Sequence, residues 1–256
     1  MKNITFLLLS FLLISCEEKV KRFTDNENSS TMIELAPKTI GAIPVPKGYE
    51  RMSSPVGSFA SWLRTVPLKT DKTVFLYNGQ LKPNQEAQYV VVNISTGKRD
   101  LQQCADVVMR FRAEYLFAEK NYADIAFMDY KGKWYKWQGG DNRHDFDNYL
   151  ENVFGWCGSA SLEKQLIPVA DFNKMAAGDV LIQGGFPGHA MLVVDMAVNN
   201  QGNKIFMLAQ GYQPAQDIHV VINPADEKLS PWYQLTTPGE IITPEWRFKK
   251  SSLRTW

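Results

Sequence analysis

Gly178-Asp-Val-Leu-Ile-Gln183, Gly184-Gly-Phe-Pro-Gly188 and His189-Ala-Met-Leu-Val-Val-Asp195 run on without a break. This stretch reads as two short strands joined by a turn rich in glycine and proline. Residues 190–194 are apolar at every position, so both faces of the second strand are covered and it is central and rigid. Working outward, residues 205–209 and 218–222 read as further strands separated by Gly and Asn turns. Upstream, 73–81 has the Asn78-Gly79 dipeptide of a tight hairpin, and 89–94 is a β-branched run. Strands grouped after helices predict an α+β fold rather than a doubly wound parallel sheet.

The principal helix is predicted from Asp100-Leu-Gln-Gln-Cys104-Ala-Asp106. Asp100 reads as an N-cap, with Gln103 at the capping-box spacing, so the helix is expected to start at about Leu101. Leu101, Ala105, Val108, Phe111 and Tyr115 then recur with helical period. Cys104 shares their face as the fourth helical residue, in the turn where free N–H groups and the helix dipole favour an anion. Residues 58–63 and 146–154 are further helix candidates, and the Trp- and Gly-rich stretch 122–143 reads as an irregular surface excursion.

A thiol attacks only as thiolate, which a helix N-terminus or a neighbouring imidazole promotes. Cys104 is therefore the candidate nucleophile and His189, at the rim of a rigid strand, the candidate base. A third group should accept from the second imidazole nitrogen. Asp195 lies roughly 20 Å further along the same strand and is set aside. Gln210 ends the next strand, but whether it shares the face of His189 depends on hairpin parity, which the sequence leaves open. Gln103, or Gln102, is an amide donor for an oxyanion beside the Cys104 N–H. His219 is an alternative base, more in keeping with a sheet residue, and His144 lies in a polar loop. Three scattered histidines, with no Cys-x-x-Cys or His-Glu-x-x-His, predict no metal and no cofactor. The glycine run 184–188 joins two strands and opens no helix, so it is no phosphate loop. Trp134, Trp137 and Trp156 suit either a ligand groove or ordinary packing.

The chain of 256 residues opens with Lys2 and an apolar run over 4–14 that ends at Cys16. That run is short of the about 20 residues a spanning helix needs. It resembles a bacterial lipoprotein signal, which implies removal of 1–15, acylation of Cys16 and a lipid bilayer as partner in the cell envelope after export. Residues 16–44 are expected to form a flexible tether and 45–256 a single domain. A net charge of +1 with the signs interspersed gives no footprint for nucleic acid. Only Cys104 and Cys157 then remain, and a disulfide between them would remove the nucleophile.

A cysteine opening a helix, a Gly-Asp strand, a histidine leading an apolar strand and a polar residue ending the next together resemble the NlpC/P60 branch of papain-like hydrolases. Cys104, His189 and Gln210 occupy the three corresponding positions, although Gln103-Cys104-Ala105-Asp106 stands where that branch usually has Asp-Cys-Ser-Gly. The resemblance implies a papain-like core, a helix packed on a small antiparallel sheet, and cleavage of a cell-wall peptide. A closer likeness, over nearly all of the chain beyond the tether, is to an exported bacterial family of unknown function numbered 4846. It is carried by Leu81-Lys-Pro-Asn-Gln85, Arg99-Asp-Leu-Gln-Gln-Cys-Ala-Asp106, Gly188-His-Ala190, Pro214-Ala-Gln-Asp217 and Ser230-Pro-Trp-Tyr233. That family implies no activity. A non-catalytic binding module on the same fold, and a structural lipoprotein whose Cys104 is an inert small hydrophobe, stand as alternatives.

Overall fold

A computed structural model describes residues 36–256. The expected signal segment, Cys16 and most of the expected tether lie outside the described residues. The chain runs through β1 (Tyr49–Arg51), α1 (Phe59–Leu63), β2 (Gln88–Val91) and α2 (Cys104–Ala118). It continues with β3 (Ala126–Met128), β4 (Trp134–Lys136), α3 (Arg143–Trp156), α4 (Ser159–Gln165) and β5 (Ile167–Pro168). The second half is strand-rich: β6 (Val180–Gln183), β7 (His189–Asn199), β8 (Lys204–Gln210) and β9 (His219–Val221). The C-terminal segment adds β10 (Tyr233–Gln234), β11 (Ile241–Ile242), β12 (Arg247–Phe248) and β13 (Leu253–Thr255).

The main sheet has the order β2-β9-β8-β7-β6-β13-β5, with β1 added to β7 and β10 to β8. Its pairings are antiparallel, and with the helices this makes the fold α+β. β7 is central and buried on both sides, as its unbroken apolar run requires. Ala190, Leu192 and Val194 pack into the cluster that includes Val107, Val108 and Phe111 of α2. Met191, Val193 and Met196 pack into a second cluster that the C-terminal segment closes with Tyr233, Ile241 and Phe248.

One irregularity sets the geometry at the end of the sheet. Near the hairpin Val198 pairs with Lys204, leaving 199–203 as an odd-numbered connection. Carried through unbroken, that register would turn Gln210 away from His189. Between Val193 and Asp195, however, two steps on β7 meet one on β8, from Leu208 to Met207. The extra residue, Val194, is a β-bulge that shifts the register by one. Leu192 consequently pairs with Ala209, Gln210 falls opposite Met191, and so shares the face of His189. Gln210 in turn pairs with His219 on β9, placing all three polar residues on one side of the sheet.

Asp195 is wholly buried beside the bulge and is not a site residue. Its carboxylate accepts from Arg51 Nε at 2.7 Å and Arg64 Nε at 2.8 Å. These bonds tie β1 and the end of α1 to the back of β7.

Three expectations are corrected. The packed body begins at Ala36 rather than 45, because Ile40 and Ile43 are buried in the helix-side core. Residues 122–143 are not wholly irregular: β3 and β4 form a hairpin that buries Phe127. The helix after Asp100 starts three residues late. Asp100 Oδ1 accepts from the Ala215 N–H at 2.7 Å and from Gln103 Nε2 at 3.1 Å, so it is committed to a distant loop. The cap falls instead on Gln103, whose N–H donates to Asp106 Oδ2 at 3.0 Å.

Removing one partner of a buried ion pair strands the other, at a cost of about 3–5 kcal/mol. Asp195→Ala should lower the unfolding free energy in urea by that amount, whereas a loss below about 1 kcal/mol would show that the two arginines do not depend on it.

Candidate active site

Cys104 is the first residue of α2, closer to the helix start than its expected fourth position. The N–H groups of the first turn have no helical acceptors there. The backbone amides of Ala190, Ala105 and Cys104 itself point at the sulfur and favour its anion, but burial and the neighbouring Asp106 carboxyl outweigh them and push the thiol up to about 11. Cys157 is also a free thiol, so the possible bridge to Cys104 is not formed.

His189 stands at the first residue of β7, one position before the Ala190 amide that contacts the sulfur. Its ring packs against Tyr212, Trp246 and Phe248, with centroids at 5.1, 5.3 and 5.9 Å. This desolvation holds the imidazole down at about 4, although the Gln210 hydrogen bond favours the charged form. Its Nε2 meets Gln210 Oε1 at 2.9 Å, the contact that the bulge makes possible. The resting thiol and base are thus both neutral at pH 7.

Cys104 and His189 line one cavity of about 820 Å³, with Gln103, Trp156, Phe186 and Tyr212 among its walls. Trp156 and Phe186 are exposed and form an aromatic rim. Gln103 lies at the cavity with one amide hydrogen committed to Asp100. Gln102 is buried elsewhere, beside Arg110. Trp137 packs on Phe146 and Tyr149, and Trp134 is exposed on β4. His144 is exposed beside Asn148. His219 is buried and has no access to the cavity, so it does not serve as an alternative base.

Behind Gln210 lies a polar cluster that the sequence reading did not assemble. Gln210 Nε2 is 3.1 Å from His219 Nε2 and donates to Glu245 Oε2 at 2.7 Å. The same carboxylate oxygen accepts from Lys82 Nζ at 2.8 Å, and His219 Nδ1 is 2.9 Å from the Asp217 carbonyl oxygen. A histidine opening the strand next to Gln210 was the available signal for His219. Nothing local marks Glu245 or Lys82, which come from loops far apart in the chain. Among the described residues no cluster of His, Cys, Asp and Glu is arranged to hold a metal ion.

A family model described as a domain of unknown function (4846) matches residues 40–145 and 129–255. The chain belongs to that family. No curated protein and no solved structure matches it. The two matched stretches take in Cys104, His189 and the whole polar cluster, so this constellation lies within the family 4846 domain.

Two pH effects follow. Below a pKa of about 11, the Cys104 thiolate grows about tenfold per pH unit. Alkylation of Cys104 by iodoacetamide should therefore still climb between about pH 8 and 10; a rate already level across that range would reveal a preformed thiolate and contradict this. The second effect concerns stability. The His189 pKa is lowered on folding, so its contribution is complete above the ordinary value near 6.5 and is lost as pH falls through about 4. Thermal stability should drop across this acid window, and less steeply in His189→Phe. Parallel curves would contradict the buried neutral imidazole.

Proposed function

We propose that this chain is a lipid-anchored protein of the cell envelope whose papain-like, NlpC/P60-like domain hydrolyses an amide bond in a cell-wall peptide. The observation that carries the reading is that Cys104, opening a helix, and His189, held by Gln210 at 2.9 Å, line the same 820 Å³ cavity. The anchor is acylated Cys16, left at the N-terminus after removal of 1–15, with the bilayer as its partner.

In this reading the Cys104 S–H proton passes to His189 Nδ1 as sulfur bonds to the substrate carbonyl carbon. The carbonyl π electrons move onto oxygen, where the Cys104 N–H and the Gln103 amide stabilise the charge. Collapse breaks the C–N bond, and the proton on His189 leaves with the amine. Water then loses a proton to His189, its hydroxyl adds to the thioester, and C–S cleavage restores the thiol. The cavity rim of Trp156, Phe186 and Tyr212 offers an extended substrate apolar and aromatic surface.

A second reading, a non-catalytic module that binds a ligand in the same cavity, has its own support. A thiol raised to about 11 beside an imidazole lowered to about 4 is not a poised ion pair. Incubation of the protein with cell-wall fragments decides between them. Hydrolysis predicts new free amines that disappear in Cys104→Ser and fall by about 10²–10⁴-fold in His189→Ala. Fragments retained without any amine release, equally by wild type and Cys104→Ser, would establish the binding module instead.

A further inference from the structure

The direction of every hydrogen bond in the polar cluster follows from one group that cannot donate. The Asp217 backbone carbonyl only accepts, so its 2.9 Å contact with His219 Nδ1 requires a hydrogen on that nitrogen. His219 is completely buried and its imidazole is held down at about 3, by burial first and the Lys82 charge second, so the ring is neutral. With Nδ1 protonated, His219 Nε2 carries a lone pair and must accept from Gln210 Nε2, 3.1 Å away. Glu245 Oε2, ion-paired to Lys82 at 2.8 Å, also accepts from Gln210 Nε2, at 2.7 Å. Both hydrogens of the Gln210 amide nitrogen therefore have acceptors, and the amide cannot flip without setting its oxygen, itself an acceptor, against the Glu245 carboxylate and the His219 Nε2 lone pair. Its oxygen is left facing His189 Nε2 at 2.9 Å, so that nitrogen carries a hydrogen.

We infer that His219 and Glu245 are positioning residues: through Gln210 they fix His189 as the tautomer with hydrogen on Nε2 and a lone pair on Nδ1. This rests on the reading of His189 as the base, since Nδ1 is then the nitrogen left to take the Cys104 proton. It also assigns a role to segments that the catalytic reading leaves unused. Leu81-Lys-Pro-Asn-Gln85 supplies Lys82, and Pro214-Ala-Gln-Asp217 supplies the carbonyl that starts the chain. The wrong tautomer of a catalytic histidine disables catalysis with its geometry intact, which is the fault this arrangement prevents.

The test is the tautomeric state of the histidines in the full chain labelled with ¹⁵N-histidine, read at neutral pH from two-bond ¹H–¹⁵N correlations. His189 and His219 should be opposite tautomers, His189 with hydrogen on Nε2 and His219 with hydrogen on Nδ1. In Glu245→Leu one of the two acceptors is gone, and His189 should lose its single tautomer and show a mixture. His189 with hydrogen on Nδ1 in the wild type, or an unchanged single tautomer in a folded Glu245→Leu, overturns the inference. The readout is independent of turnover. A protein that releases no amine but has the expected tautomers fails as a hydrolase and still bears out the positioning role.

Discussion

The hydrogen bond between His189 and Gln210 is the contact on which the site depends, and a single extra residue in β7 makes it possible. Without the bulge at Val194, the odd-numbered connection after β7 would leave Gln210 opposite Leu192, on the helix side of the sheet. With it, two neighbouring strand ends present an imidazole and an amide on one face, and β9 adds His219 beside them. Asp195, immediately after the bulge, is pinned by Arg51 and Arg64. The irregular part of the strand is thus also tied to its surroundings by two ion pairs.

The site joins the two faces of the sheet at its edge. α2 packs on one face and brings Cys104 to the rim, while His189 projects to the other face and is walled by Tyr212, Trp246 and Phe248. The Ala190 amide, which favours the thiolate, is next in sequence to His189. Desolvation governs both groups, raising the thiol and lowering the imidazole, so the resting pair is neutral. In the proposed hydrolysis, proton transfer from sulfur would then belong to the step in which the carbon–sulfur bond forms. The buried cluster behind Gln210 holds its amide oxygen against His189 Nε2, which in that reading leaves Nδ1 to receive the proton.

Much of this was legible in the sequence because it follows from local pattern. The unbroken apolar run after His189 required a central strand, the period of Ala105, Val108 and Phe111 required a helix, and Asn78-Gly79 required a turn, where Gly79 adopts φ 82°. The start of α2 was misplaced because Asp100 is committed to Ala215, 115 residues away, and no local pattern records that. The face of Gln210 was undecidable because a bulge is a relation between two strands. Lys82 and Glu245 were invisible as site residues for the same reason: they meet only through the tertiary fold.

If Cys104 is a nucleophile, the ring of His189 must act on its sulfur. The most direct measurement is the rate of Cys104 alkylation by iodoacetamide at pH 7 in wild type and in His189→Ala, followed on the Cys104 peptide by mass spectrometry. The rate should be at least about tenfold lower in the variant. Equal rates in two folded proteins would contradict it.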